Sequence, residues 1–155
     1  MFCAAVLAPA QTPVKYTNLE IMPWEAGKGI DFPPDFQAKI IESLVQHFQA
    51  SKKFAKIVKP GEAPPAASEP TVKLTAVLTE IDEGSRAARA LVGFGAGSSY
   101  MKATVKFVDA ASGKVKYESE VKGTYKGTWS VGGGSAANVA DGLAKQIVKL
   151  AKDKL

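Results

Sequence analysis

The stretch Thr71-Val72-Lys73-Leu74-Thr75-Ala76-Val77-Leu78-Thr79-Glu80-Ile81-Asp82 decides how the rest of the chain is read. Val72, Leu74, Ala76 and Leu78 recur at every second position, while Lys73, Thr75 and Thr79 fall between them. In an extended backbone, successive side chains point to opposite faces, so this pattern predicts a strand with one dry and one wet face. A sheet that is dry on one side only must be covered there by something with an apolar stripe.

Two neighbouring segments carry the same period. Residues 100–109 place Met101, Ala103, Val105 and Phe107 on one face. After a tight turn at Ala110-Ala111-Ser112-Gly113, residues 114–129 form a long strand. There Val115, Tyr117, Val121, Tyr125 and Trp129 share one face, and Lys114, Lys116, Glu118, Glu120, Lys122 and Lys126 share the other. Upstream, residues 14–24 read as a first strand ended by Pro23, and residues 54–58 as a short one. Residues 59–70 are rich in Pro and form a surface loop rather than a domain boundary.

The cover is supplied by two helices. Over residues 35–50, Phe36, Ile40, Leu44 and Phe48 recur every four residues, with Ile41 and Val45 widening the stripe. Pro34 suits a helix start, and Ser51-Lys52-Lys53 closes the helix. A second helix is expected from Ser135, which can cap it, to about Lys152. Its stripe is Val139, Leu143, Ile147 and Leu150, with Ala136 and Ala140 permitting close approach. The order β-α-β-β-β-β-α predicts an α+β two-layer sandwich: a mainly antiparallel sheet of about five strands with two helices on one face.

The chain has 155 residues, with 46% hydrophobic and 23% charged residues, which argues against wholesale disorder and multi-pass membrane insertion. There are 20 Lys+Arg against 15 Asp+Glu, a net charge of +5, which permits attraction to anionic partners without naming one. With one Cys and one His, a Cys/His zinc site within one chain is excluded, and no cofactor is expected.

Residues 1–10 carry no charge, and Ala8-Pro9-Ala10 has the small-x-small pattern of a signal-peptidase site. A positive n-region is missing, so residues 1–10 are read as a signal-peptide remnant, and residues 11–155 as a single α+β domain. The expected location is the periplasm or the exterior. Cys3 is a poor lipid-anchor site, because Met1 and Phe2 are bulky, and no segment is long and apolar enough to span a membrane.

Candidate chemistry is sparse. Gly93-Phe94-Gly95-Ala96-Gly97 is followed by a strand, whereas a nucleotide loop must lead into a helix. Its apolar residues suit contact with a partner or a second copy instead; Leu91, Val92, Phe94 and Tyr100 are the expected contact residues. Glu80 and Asp82 are the candidate carboxylate pair for a hydrolase, the alternative function. His47 sits at the edge of an apolar stripe, where a structural or solvent-facing role is expected. The lysine face of residues 102–126 is the basis of a second alternative, a basic module for anionic lipid or polymer; Glu118 and Glu120 interrupt it. Aromatics for stacking are absent from that face, so no nucleic-acid partner is expected, while peripheral membrane contact is permitted.

The segment from Arg86 to Lys154 resembles a bacterial family of domains of unknown function, number 4410. The shared features are Arg89-Ala-Leu-Val-Gly-Phe-Gly-Ala-Gly, the Met/Lys alternating strand, Asp109-Ala-Ala-Ser-Gly-Lys, and Gly-Gly-Gly-Ser before the terminal helix. The resemblance implies an exported, lipoprotein-like envelope protein and brings no catalytic residue with it. The expectation is a non-enzymatic envelope protein that acts by binding or assembly, with itself or another envelope protein.

Overall fold

The structure, a computed structural model, describes residues 14–30, 32, 34–82, 99–125 and 134–155. Eight elements follow one another: β1 (Asn18–Ile21), β2 (Glu25–Ala26), α1 (Pro34–Ser51), β3 (Lys56–Val58), β4 (Thr71–Asp82), β5 (Ser99–Asp109), β6 (Val115–Tyr125) and α2 (Gly134–Lys154). The α+β two-layer architecture is as expected, with a sixth, two-residue strand added.

The sheet runs β3-β1-β4-β5-β6, and β2 also pairs with β4. Strands β4, β5 and β6 form an antiparallel meander, whereas β1 pairs in parallel with both β3 and β4. The expected first strand, residues 14–24, is shorter and divided. Met22 still donates its N–H to the Leu74 carbonyl, and Pro23 has no N–H to give. Pairing resumes at Glu25↔Val77, so β1 and β2 share one edge of β4.

The periodic stripes become the core. Leu19, Ile21, Val72, Leu74, Leu78, Ala103, Val105 and Phe107 are fully buried on one sheet face. Ile40, Leu44 and Phe48 of α1, with Leu143, Ile147 and Ala140 of α2, are fully buried against them. Ser51 closes α1 by donating its Oγ–H to the Phe48 carbonyl at 2.7 Å, and Lys52 takes a left-handed φ of +52° to turn the chain.

Helix α2 crosses β6 closely. A Cβ on Gly123 would lie 2.5 Å from the Val139 carbonyl oxygen and 2.9 Å from Leu143 Cβ. No side chain fits there, so glycine sets how near the helix layer approaches the sheet.

Two slips interrupt the ladders. Between Leu78 and Glu80 the β4–β5 register skips Thr79: Leu78 faces Ala103, then Glu80 faces Lys102 and Ile81 faces Met101. Between Phe107 and Val108 the β5–β6 register skips Lys116: Phe107 faces Tyr117, then Val108 faces Val115. Each bulge exchanges the two faces of the strand beyond it. The second corrects one expectation. Alternation puts Val115 on the dry face with Tyr117 and Val121, but it is 49% exposed, because the slip places it opposite outward-facing Val108.

Candidate functional site

The two described helices cover one sheet face, and among the described residues no element covers the other. On that second face the alternate residues of β4, β5 and β6 are mostly Lys, Glu and Thr, and they pair across strands. Lys73 lies 3.5 Å from Glu20, Lys102 2.7 Å from Glu80, and Lys106 3.3 Å from Glu118. Lys102 and Lys106 thus have carboxylate partners, and the mixed charges at this part of the face cancel locally.

Unbroken alternation from Leu74 through Leu78 would send Glu80 into the core. The Thr79 bulge turns it outward instead, opposite Lys102. There the Tyr100 phenol donates a hydrogen bond to Glu80 Oε1 while Lys102 holds Oε2. Lys122 places its Nζ 4.2 Å from the Tyr100 ring centroid, and Lys102 lies 5.7 Å from it. An ammonium over the face of an aromatic ring is attracted by the ring quadrupole. Among the described residues, four side chains from three strands thus form one cluster with Tyr100 at its centre.

The cluster's electrostatics bear on the carboxylate reading. The Lys102 contact, then the Tyr100 hydrogen bond, hold the Glu80 carboxyl below its ordinary pKa. A general acid in glycoside hydrolysis needs the opposite shift. Glu80 is therefore suited to holding Lys102 and Tyr100 in place. The side chain of Asp82 lies outside the described residues.

Of the four expected contact residues, Tyr100 stands on the face that carries Lys102 and Lys122, which corrects the expectation that this face has no aromatic ring. Leu91, Val92 and Phe94 lie outside the described residues, as do residues 1–13. Among the described residues, no group of His, Cys, Asp and Glu could hold a metal ion. No described helix is long and apolar enough to cross a membrane.

A second polar cluster lies in the helix layer. His47 Nε2 of α1 is 2.5 Å from Asp141 Oδ1 of α2, and Lys145 Nζ is 2.7 Å from Asp141 Oδ2. Lys145 first and His47 second lower the Asp141 pKa. His47 thus joins the two helices through Asp141. Its partner, 94 residues away, carried no local sequence signal except the i,i+4 spacing of Asp141 and Lys145.

Fold and site together define a small α+β domain with one helix-covered face and one polar face, anchored by a tyrosine at its upper end. The chain belongs to the family described as Domain of unknown function (DUF4410), whose model matches residues 14–127. No curated protein matches the chain at a significant level. Among solved structures, protein XCC0632 from Xanthomonas campestris is similar at 14% identity and a TM-score of 0.57, over 90% of this chain and 86% of its own. The PelC dodecamer from Paraburkholderia phytofirmans is similar at 16% identity and a TM-score of 0.53, over 89% of each chain. The hypothetical protein CT253 from Chlamydia trachomatis is similar at 14% identity and a TM-score of 0.56, over 88% of this chain and 96% of its own. At these identities the likeness is one of fold.

Proposed function

We propose that this DUF4410 protein is an exported envelope component that works by binding and self-association, not by catalysis. Its contact residues are Tyr100 on the sheet and, from the segment that precedes it in sequence, Leu91, Val92 and Phe94. The observation that carries the reading is Tyr100 itself. It is an aromatic ring on the face away from the two described helices, oriented by Glu80 and packed beneath Lys122. Aromatic side chains held rigid on a surface contribute large contact area at low entropic cost, which is why they anchor interfaces. The PelC structure of similar fold is a dodecamer, which supports self-association as a use of this architecture. Export rests on the uncharged segment and cleavage pattern of residues 1–10.

Size-exclusion chromatography with light scattering tests the reading on the full chain, beside Phe94→Ser and Tyr100→Ser. The expected result is a wild-type oligomer that both substitutions dissociate while circular dichroism stays unchanged. A wild type that remains monomeric at high concentration would overturn self-association. N-terminal sequencing of the protein recovered from an exporting host checks the other half, with Gln11 as the expected first residue.

A further inference from the structure

The two ends of the sheet treat lysine differently. The pairing Asn18↔Lys56, Asn18↔Thr71, Val72↔Asp109 and Val108↔Val115 draws one row across the sheet, at the end opposite the Tyr100 cluster. Both helices finish at this end. The turn after α1 leads into β3, and the last turn of α2 reaches β6, where Lys154 Nζ lies 5.6 Å from the Tyr117 ring centroid. Lys52, Lys56, Lys114, Lys116, Lys152 and Lys154 therefore gather on one pole, all exposed.

Among the described residues, the lysines with carboxylate partners are Lys59, Lys73, Lys102, Lys106 and Lys145, and none of these belongs to the polar group. The carboxylates at the pole are mostly engaged elsewhere. Asp109 accepts from the Ala111 N–H and the Ser112 hydroxyl and is also attracted to the Lys116 ammonium, Glu69 accepts from the Asn18 amide, and Asp153 lies among the lysines. The two large hydrophobic side chains exposed among the described residues, Val14 at 48% and Val115 at 49%, are at this same pole. One adjoins Lys15 and the other stands between Lys114 and Lys116.

We infer that this pole docks on an anionic lipid surface. Ammonium groups without a salt bridge gain from the negative potential of a headgroup layer, and the gain decays within a Debye length, so clustering them on one end orients the molecule. Exposed valines between those lysines are a cost in water and a gain at the headgroup boundary. A polyanion in solution would use the lysines but has no use for the valines, which is what favours a membrane. The inference does not depend on self-association: the pole lies at the other end of the sheet from Tyr100.

The test is flotation of the full chain with phosphatidylcholine vesicles, with and without phosphatidylglycerol. Lys114→Glu/Lys152→Glu is compared with Lys28→Glu/Lys39→Glu, a pair away from the pole that changes net charge equally. At about fivefold per lysine, the polar pair should weaken binding to the anionic vesicles by at least about 25-fold, and the control pair far less. Val14→Ser/Val115→Ser should weaken vesicle binding without changing binding to a single-stranded DNA oligomer. Three results would overturn the inference: no difference between the vesicle types, equal loss in both lysine pairs, or valine substitutions with no effect on flotation. The last would leave a general polyanion surface in its place. An oligomer defect in the Tyr100 variants with flotation intact would separate this surface from the assembly reading.

Discussion

At one end of the β4–β5–β6 ladder the extra residue Thr79 turns Glu80 outward onto Lys102; at the other, the extra residue Lys116 turns Val115 outward into solvent. The first slip rescues the core from a carboxylate and brings Ile81 back to the apolar side, where it packs against the buried cluster. The second removes an apolar side chain from the core and exposes it between two lysines. The same one-residue device thus closes one end of the sheet electrostatically and leaves the other end charged and partly apolar. A bulge has no fixed sign; the residues beyond it decide whether the exchange of faces hides chemistry or displays it.

The harshest way to break the comparison is to remove the layer against which both faces are defined. Gly123→Val would force a side chain into the Val139 carbonyl, and should cost about 3 kcal/mol or more in urea unfolding. A sharper test substitutes the residue each slip has redirected. Ile81→Asp should cost about 2–3 kcal/mol, because it puts a carboxylate against the core. Val115→Asp should stay within about 0.5 kcal/mol, because its site is already wet. Equal costs would show that the two slips do not divide the faces as described.

A smaller effect concerns the helix layer behind both ends. Asp141 has a depressed pKa in the folded state, so its contribution is present above the ordinary carboxylate pKa. It is lost as pH falls through the folded value. Asp141→Asn should therefore flatten the acid side of the stability profile below about pH 4, with little change in its shape near neutrality. At 40% exposure the effect should be about 0.5 kcal/mol or less. The smallest change is Tyr100→Phe. It deletes the phenol that helps keep Glu80 ionised, and NMR titration should show the Glu80 pKa moving upward toward its ordinary value.

Much of this fold is legible in the residues because period and burial coincide. The stripe Ile40-Leu44-Phe48 is a helix with a fully buried face, and Met101-Ala103-Val105-Phe107 is a strand with a buried face. The first strand was harder to read, since an alternating run gives no sign that Pro23 and the path to Glu25 divide it. The slips escaped an alternation count for a physical reason: a bulge preserves composition and changes only phase. A trace of the first is present in the three-residue spacing of Leu78 and Ile81, both apolar. Tyr100 was singled out by its neighbourhood in sequence, but its partners Glu80 and Lys122 come from other strands, through registers that no local pattern contains. The Lys-rich pole is likewise visible only as scattered residues until the ends of four elements are laid side by side.

The parallel pairing of β1 with β4 also has a consequence in time. Strands β4, β5 and β6 join neighbours along the chain, whereas β1 must wait for a partner that begins at Thr71 and is synthesised long after it. Closing that longer loop costs entropy before any contact repays it, so the meander is expected to order first and the front of the chain to join it late. Val105→Ala should then slow refolding, while Leu19→Ala should chiefly speed unfolding; the reverse pattern in stopped-flow kinetics would place β1 in the nucleus. On this account the first strand to be made is among the last to find its place.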